Sequence, residues 1–157
     1  MYVIYTDGSC LDNSRFKGGG PGGLGFVVLY NGLEYQTSVG YFRTTNNRME
    51  MMAIVHALEE IQTPSEIEIR TDSQYTIDCV TKYYYGWVRK GWVTGNGTAV
   101  QNQDLIKRIR GLMGFHDVKF TKVKGHSGDY YNEMCDKLAK EGAGNPTEVD
   151  IGFVTSN

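Results

Sequence analysis

Apolar and polar residues alternate in three runs near the start of the chain, and this alternation predicts that the fold opens with three β-strands. The runs cover residues 2–6, 24–30 and 33–42. Asn31-Gly32 separates the second run from the third, and because both residues tolerate positive φ angles, the pair is typical of a tight antiparallel hairpin. The glycine-rich residues 18–23, GGGPGG, precede a strand and lack a following Gly-Lys-Ser/Thr, which favours a flexible turn over a phosphate-binding loop.

Helical spacing replaces the alternation after residue 46. Ala53, Ile54, Ala57, Leu58 and Ile61 follow Glu50 at i+3, i+4, i+7, i+8 and i+11, which places them on one face of a helix predicted over residues 47–61. The rest of the pattern predicts, in chain order, a strand at 66–71, a helix at 73–84, a short helix with an exposed loop, a helix at 102–113, a strand at 117–123 and a helix at 130–142. We therefore predict an α/β fold with a five-stranded mixed sheet, antiparallel in its first three strands and parallel in the later ones, flanked by helices.

Length and composition predict one soluble domain. With 157 residues the chain can bury a core without disulfides, and we assign residues 1–143 to a single domain and residues 144–157 to a C-terminal tail. Three scattered cysteines fit a reducing compartment better than a secreted scaffold. No apolar stretch approaches the roughly 20 residues that span a bilayer. We expect a cytoplasmic monomer with no membrane contact and no obligate protein partner.

The net charge of −2 hides an uneven distribution of charge. Residues 82–124 carry nine Lys or Arg against Asp104 and Asp117, a surplus of +7, whereas the rest of the chain carries −9. A basic segment beside an acidic one suits a polyanion such as a nucleic acid, which the basic residues can grip. A merely solvated helical surface is the alternative interpretation of the same charges.

Four carboxylates occupy positions that favour a shared site. Asp7 and Asp72 come directly after predicted strands, at the edge where ligands bind in open α/β sheets. Glu50 lies on the core-facing side of its predicted helix, where a lone carboxylate would protonate unless a cation or hydrogen-bond donors compensate. Asp136 stands beside a second apolar stripe, formed by Cys135, Leu138, Ala139 and Gly142.

The residue types around these acids favour magnesium or manganese over zinc. The three histidines, His56, His116 and His126, and the three cysteines, Cys10, Cys79 and Cys135, form no CxxC or HExxH pattern. A single Asp is most often a helix cap or a solvated charge, but four acids in matched contexts outweigh that interpretation. Carboxylates that bridge two hard cations are the expected arrangement for phosphoryl chemistry, so the acids predict a metal-dependent phosphodiesterase.

Six motifs, in order along the chain, resemble the signatures of bacterial type 1 ribonuclease H: YTDGSC, GYFRTTNNRMEMMA, TDSQY, GWVRKGW, VKGHSG and NEMCDKLA. The likeness runs from the first strand into the NPTEVDIGF segment of the tail. It implies a ribonuclease H-like fold and an endonuclease that cleaves the RNA strand of RNA–DNA hybrids, leaving 3′-hydroxyl and 5′-phosphate ends. It also implies two Mg²⁺ ions when substrate is bound, with Mn²⁺ as a substitute.

The resemblance assigns catalytic roles to five residues. It implies that Asp7, Glu50, Asp72 and Asp136 hold the metal ions. His126 matches the family's mobile catalytic histidine. Its position between two glycines in a loop and its near-neutral intrinsic pKa suit it to move a proton or to help product leave.

The resemblance also implies contacts to each strand of the hybrid. Residues that match contacts to the RNA strand are Gly8, Ser9, Cys10, Asn46, Asn47 and Gln74. The three amides among them carry both donor and acceptor atoms, which suits them to sense a 2′-hydroxyl. Residues that match a pocket for a DNA phosphate are Arg43, Thr45 and Asn102. Trp87 and Trp92 match a protruding substrate-grip segment, and Asn13 is the candidate for the family's asparagine in the loop after Cys10.

Two other classes of protein stay open as alternatives. DNA recombinases, transposases and junction-resolving nucleases share the fold and the acidic cluster, but they usually need added DNA-binding or oligomerising regions for which 157 residues leave no room. A catalytically inert binder of hybrids or of double-stranded RNA is the second alternative. The presence of all four acids argues against inertness.

Overall fold

Five strands in the described part of the chain form a mixed sheet. The structure, a computed structural model, describes residues 1–11, 18–125 and 128–156. The strands are β1 (Tyr2–Cys10), β2 (Gly20–Tyr30), β3 (Leu33–Thr44), β4 (Glu66–Thr71) and β5 (Asp117–Lys122). They lie in the order β3-β2-β1-β4-β5, with antiparallel pairing among the first three and parallel pairing of β1 with β4 and of β4 with β5. The predicted fold class is confirmed.

Helices pack on both faces of this sheet. They are α1 (Asn46–Glu60), α2 (Gln74–Asp78), α3 (Tyr84–Lys90), α4 (Gln103–Phe115), α5 (Tyr130–Gly144) and α6 (Ile151–Ser156). Alternate residues of β1 and β2 face α1 and α5, because successive side chains of a strand point to opposite faces. Ile4 and Phe26 belong to the main core beneath α1, while Tyr5 and Val27 pack with Cys135 of α5. No described helix is long and apolar enough to cross a membrane.

The predicted apolar stripe of α1 is buried, and so is most of the rest of that helix. Ala57 and Leu58 of the stripe are fully buried, but so are Met51 and Val55 outside it. The sheet covers one side of α1 and α4 packs on another. The expectation of a single core-facing side was therefore too narrow, and Glu50 sits in a helix with little access to water.

The glycine-rich residues that we predicted to form a turn belong largely to β2. Gly22 pairs with Cys10 and Gly23 pairs with Ser9. A Cβ atom at Gly23 or Gly25 would collide with the backbone of α5, so the missing side chains let that helix lie directly on the strand. The turn prediction was wrong because a glycine needed for close approach looks the same in a sequence as one needed for a turn.

The helix predicted at residues 73–84 continues further along the chain. A π-helical turn at Cys79–Tyr83 joins α2 to α3, and the helical backbone ends only at Gly91, with φ of 74°. The hairpin between β2 and β3 is as predicted, since Asn31 and Gly32 have φ angles of 50° and 77°. The other predicted helices and strands begin and end within a few residues of their observed bounds.

The residues after α5 are fixed to the sheet by hydrogen bonds. The backbone N–H of Phe42 donates to the carbonyl of Glu148 at 2.9 Å, and the N–H of Glu148 donates to the carbonyl of Gly40 at 3.0 Å. Asp150 is buried, and its carboxylate accepts from the Arg48 guanidinium at 2.7 Å and from the Thr44 hydroxyl at 2.8 Å. The segment that we separated as a tail therefore packs against β3 and α1.

Candidate active site

Parallel pairing of β1 with β4 brings Asp7 and Asp72 together. Tyr5 pairs with Arg70, and continuing this register sets Asp7 beside Asp72. Asp72 directly follows β4, as predicted. Asp7, however, lies within β1, so its predicted position past the end of a strand was wrong. The strand continues to Cys10 because the glycine-rich start of β2 pairs with it.

Glu50 reaches Asp7 because α1 crosses β1 in backbone contact at Gly8. A Cβ atom on Gly8 would collide with the backbone of Met49 and Glu50. The N–H of Gly8 donates to Oδ1 of Asp7 at 2.9 Å and also to Oε1 of Glu50. Both acids are buried, with 6% of Asp7 and 8% of Glu50 exposed. A residue larger than glycine at position 8 would force the two carboxylates apart.

Asp7, Glu50 and Asp72 form a compact cluster, which we call the three-acid group. One ligand oxygen from each lies within 4.8 Å of the others. The pKa of Asp7 is raised to about 6, chiefly by burial and also by the negative charges of Asp72 and Asp136, while hydrogen bonds to Glu50 and Gly8 lower it in part. Burial and the neighbouring Asp7 also raise the pKa of Glu50 well above its usual range.

The three-acid group fits a divalent cation by its chemistry. Burial, together with the neighbouring negative charges, makes ionisation of Asp7 and Glu50 costly, and a bound cation would relieve that cost. The donor set consists of carboxylate oxygens, which Mg²⁺ and Mn²⁺ prefer. The group therefore has both the ligand type and the electrostatic need for a hard metal ion.

Asp136 lies near the three-acid group but is held by a different partner. Its carboxylate accepts from Nζ of Lys140 at 2.9 Å, one helical turn further along α5. The same contact raises the pKa of Lys140, and the charge of Asp136 contributes to the raised pKa of Asp7. Sequence reasoning missed Lys140, although the i,i+4 spacing from an acid was a usable signal. Lys140 is therefore the cation that neutralises Asp136 in this structure.

His126 and Asn13 lie outside the described residues. The residue before the histidine, Gly125, is described and stands against Asp72. A Cβ atom built on Gly125 would lie 3.0 Å from Oδ2 of that acid. Gly125, the last described residue before His126, therefore lies beside the three-acid group.

Most of the predicted substrate residues lie at the same sheet edge as the three-acid group. β1, β3, β4 and β5 run in one direction, so their carboxyl ends share an edge. Residues 8–10 end β1, residues 43–47 span the end of β3 and the start of α1, and Gln74 begins α2. The side chains at this edge with exposed surface are Arg43, Asn46, Asn47 and Gln74. The structure thus brings these predicted residues together.

Several of these side chains also have structural partners. Thr45 caps α1, with its hydroxyl oxygen accepting from the N–H of Arg48 at 3.3 Å. Gln74 donates from Nε2 to Oδ1 of Asp78 at 2.9 Å. The thiol of Cys10 lies 3.4 Å from the carbonyl oxygen of Thr44, which ties the end of β1 to the end of β3. Capping and strand contacts therefore fix the backbone from which the polar groups project.

Asn102 is held through a tyrosine that sequence reasoning missed. It precedes α4 with a left-handed backbone, φ of 62°, and donates from Nδ2 to the hydroxyl of Tyr75 at 3.3 Å. Tyr75 follows Gln74 on α2, so the contact links Asn102 to the edge that carries the other substrate residues. The position of Tyr75 inside the TDSQY motif was the only sequence signal, and an aromatic ring there is equally typical of a core residue.

Comparison with known proteins places this arrangement in a family. The family model described as RNase H matches residues 1–144. A ribonuclease H of Actinobacillus pleuropneumoniae serotype 5b is 47% identical over 153 residues, which cover 98% of this chain and 97% of that protein. The chain belongs to the ribonuclease H family. A ribonuclease HI of Haemophilus ducreyi is also similar, with 45% identity over 150 residues that cover 96% of this chain and 95% of the relative.

Solved ribonuclease H structures share the fold. LC9-RNase H1, described as a type 1 RNase H with the type 2 active-site motif, has a TM-score of 0.81 and 31% identity, covering 99% of this chain and 79% of that one. LC11-RNase H1, solved in complex with an RNA/DNA hybrid, has a TM-score of 0.66 and 22% identity and supports the fold alone. The resemblance seen in the sequence motifs is therefore confirmed.

The predicted grip segment is built from aromatic rings and cations. Trp87 and Trp92 are half-buried, with ring centroids 6.0 Å apart, and both pack against the main core. Nζ of Lys107 lies 4.7 Å from the Trp92 ring centroid, and the guanidinium of Arg110 lies 4.3 Å from that of Tyr84. Each tryptophan thus has a core contact and some exposed surface, which is compatible with the mixed role that we predicted.

The other two histidines have structural partners. Nε2 of His56 lies 3.0 Å from the hydroxyl of Tyr41. Burial lowers the pKa of His56 and raises the pKa of Tyr41 to about 12, so both groups are held in their neutral forms at this contact. His116 is buried and accepts at Nδ1 from the N–H of Ser65 at 3.2 Å. Neither was predicted to be catalytic.

Proposed function

We propose that this chain is an endonuclease that hydrolyses the RNA strand of RNA–DNA hybrids and leaves 3′-hydroxyl and 5′-phosphate ends. The observation that carries the proposal is the three-acid group, in which two buried carboxylates with raised pKa values lie beside a third at the carboxyl edge of the sheet. Membership in the ribonuclease H family supplies the class of reaction.

We infer that Asp7, Glu50, Asp72 and Asp136 hold two Mg²⁺ ions when substrate is bound, with Mn²⁺ as a substitute. Bound metal supplies the Lewis acidity that activates a water and stabilises the leaving 3′ oxygen. The chain orients the ligands, because the Gly8 N–H fixes the carboxylates of Asp7 and Glu50 relative to each other. Burial also lowers the local dielectric constant, which strengthens the attraction of these acids for a dication.

We assign proton transfer or product release to His126. Gly125, which directly precedes His126 in the sequence, lies against Asp72. An imidazole whose pKa lies near neutrality can accept a proton and release it again within one catalytic cycle.

We propose that the polar residues at the same sheet edge as the three-acid group recognise the substrate. Asn46, Asn47 and Gln74 are exposed beside Glu50 and Asp72, so their amides can meet the 2′-hydroxyls of the RNA strand. Arg43, Thr45 and Asn102 are proposed to hold a phosphate of the DNA strand. Trp87 and Trp92 offer apolar surface to a deoxyribose, and nearby cations meet phosphates. Readout of sugar and backbone on both strands would select hybrids over duplex DNA.

Cleavage assays on four substrates test this function. Matched RNA–DNA hybrid, double-stranded RNA, single-stranded RNA and duplex DNA are each incubated with Mg²⁺ or with chelator, and the products are sized and end-labelled. We expect Mg²⁺-dependent cutting of the RNA strand of the hybrid alone. Cutting of duplex DNA would favour the recombinase and resolvase class, and folded protein inert on all four substrates would favour the binding-module alternative.

Hybrid binding is expected to weaken steeply with salt. Each phosphate contact contributes about 0.9 to the slope of log affinity against log salt, so the four cations Arg43, Lys82, Arg89 and Lys90 predict a slope near −3 to −4 and a loss of about a hundredfold between 50 and 200 mM salt. Fluorescence anisotropy in chelator measures the slope. The Lys90→Gln variant should show a slope smaller in magnitude by about 0.9. The Lys119→Gln variant, changed at an exposed position on β5, should show the parent slope. A flat salt response would contradict this mode of docking.

We also propose that the protein is a cytoplasmic monomer. Cys79 and Cys135 are buried thiols, which supports a reducing compartment. The three-acid group and the surrounding polar residues come from a single chain, which supports activity without a second copy.

A further inference from the structure

The C-terminal residues brace the segment that carries the predicted contact to a DNA phosphate. Residues 40–48 run from the end of β3 into α1 and contain Arg43 and Thr45. On one side their backbone bonds to Glu148, and on another Asp150 binds the side chains of Thr44 and Arg48. Arg43 lies between these fixed points, with its own side chain directed to α6.

The contact on α6 is an aromatic ring. The guanidinium carbon of Arg43 lies over the Phe153 ring, 5.1 Å from its centroid. The ring also packs against Gly19, where a Cβ atom would lie 3.0 Å from the nearest ring carbon. Phe153 is therefore wedged between the start of β2 and the end of β3, and it presents one face to Arg43.

This contact differs in kind from the one made by the neighbouring Arg48. Arg48 is buried, and its guanidinium is bound by the carboxylates of Asp104 and Asp150. Arg43 is exposed and meets the face of a ring. A guanidinium held over a ring by a cation–π contact keeps its N–H donors available, and these can form paired bonds to a phosphate. The ring contact also restricts the rotamers of Arg43, so less freedom is lost on binding.

We propose that Phe153 is a positioning residue that holds the Arg43 guanidinium for a phosphate of the nucleic acid. The inference rests on the proposed function, since it needs a nucleic-acid phosphate at this edge. It gives residues 144–157 a part in substrate affinity in addition to their packing. The three-acid group, and not Phe153, takes part in cleavage. Loss of the Phe153 ring should therefore change substrate affinity and KM but not kcat.

A double-mutant cycle tests the inference. Hybrid affinity is measured in chelator for the parent, Phe153→Leu, Arg43→Ala and the double variant, and KM and kcat are measured with Mg²⁺. Phe153→Leu keeps an apolar side chain without the ring face, and we expect it to weaken binding about threefold to tenfold, with kcat unchanged. Phe153→Tyr keeps the face and should bind like the parent. In the Arg43→Ala background, Phe153→Leu should have no further effect.

Controls separate positioning from folding. Ile151→Ala changes an exposed apolar residue of the same helix and should alter neither KM nor kcat. A second readout uses the unmodified protein: the Arg43 side-chain proton signals, assigned by their loss in Arg43→Lys, should be shifted upfield by the ring current of Phe153. This measurement holds even where Phe153→Leu fails to fold.

Two results would overturn the proposal. One is a loss of affinity for Phe153→Leu that is equally large in the Arg43→Ala background, and the other is the absence of a ring-current shift on Arg43 in the parent. These results differ from failure of the proposed function itself. A parent protein that binds no hybrid would remove that function, whereas a parent that binds hybrid without coupling between Phe153 and Arg43 would remove only this inference.

Discussion

Replacing Asp7→Asn is expected to abolish cleavage of the hybrid while the protein stays folded. Asp7 is the acid that the Gly8 N–H ties to Glu50 and that the strand register sets beside Asp72. Asparagine has nearly the same shape and can still accept from Gly8, but it lacks the charge that attracts a dication. We expect cleavage to fall at least about a thousandfold, equivalent to about 4 kcal/mol of transition-state stabilisation. Single-turnover cleavage of the hybrid with Mg²⁺ measures the loss.

The same variant should be more stable than the parent in the absence of metal. The pKa of Asp7 is raised from 3.8 to about 6 in the folded state, so the folded protein holds this proton more tightly than the unfolded chain does. The protonated Asp7 side chain therefore contributes to folding stability below about pH 4, and this contribution is lost as the pH rises through about 6. At pH 7 the ionised group opposes folding by about 1–3 kcal/mol, and the variant is free of this cost.

Thermal melts in chelator across pH 4 to 7 distinguish a catalytic acid from a structural one. The parent should lose stability relative to Asp7→Asn as the pH rises, and added Mg²⁺ should reverse the order, because ligand that binds the folded state stabilises it. Asp117→Asn, at an exposed position on β5, is the matched control and should change neither cleavage nor the pH response. A variant that unfolds at pH 7 would show that Asp7 is a structural residue.

Local sequence patterns predicted the strands of the sheet and the proximity of three of the acids. Alternation located the first three strands, and helical spacing placed Glu50 in a buried helix, because both features depend on side chains within a few residues of each other. The pairing of β1 with β4 follows from the parallel arrangement that strands joined by helices favour. Proximity of Asp7, Glu50 and Asp72 was therefore within reach of the sequence.

Features that depend on distant parts of the chain were not predictable in the same way. Positions 23 and 25 require glycine because the backbone of α5, more than 100 residues later, lies where a Cβ atom would be. Tyr75 supports Asn102 across 27 positions in the chain. In each case the deciding contact joins elements whose packing the local pattern does not specify.

The separation of residues 144–157 from the domain rested on the same local reasoning. The segment is mostly polar, and its apolar side chains are only Val149, Ile151, Phe153 and Val154. Its attachment to the fold comes from Asp150, whose partner Arg48 lies 102 positions earlier. Arg48 is only 3% exposed, and Asp104 binds the outer side of its guanidinium through a carboxylate that is 45% exposed. Removing either carboxylate should cost more free energy here than at the surface, because a buried guanidinium without its partner cannot be hydrated.

Replacing Asp150→Ala is accordingly expected to be strongly destabilising. It leaves the buried Nε of Arg48 and the hydroxyl of Thr44 without the carboxylate that accepts from both. Breaking a buried ion pair from one side costs about 3–5 kcal/mol, which for a domain of this size is a fall of roughly 10 °C in Tm. Asp150→Asn keeps one acceptor oxygen and should lose less. Thermal and urea unfolding at pH 7 measure both variants.

The exposed ion pair of Glu59 with Arg108 provides the matched control for Asp150. Its N–O distance is 3.2 Å and both side chains are 49% exposed, so Glu59→Ala should cost no more than about 1 kcal/mol. High salt should weaken the contribution of the exposed pair and leave most of the contribution of the Asp150 contact, because buried charges are little screened. If Asp150→Ala costs no more than Glu59→Ala, the C-terminal residues are not energetically part of the domain. A large loss for Asp150→Ala alone would mean that the fold that carries the three-acid group extends through Asp150 and that its boundary at residue 143 should be moved.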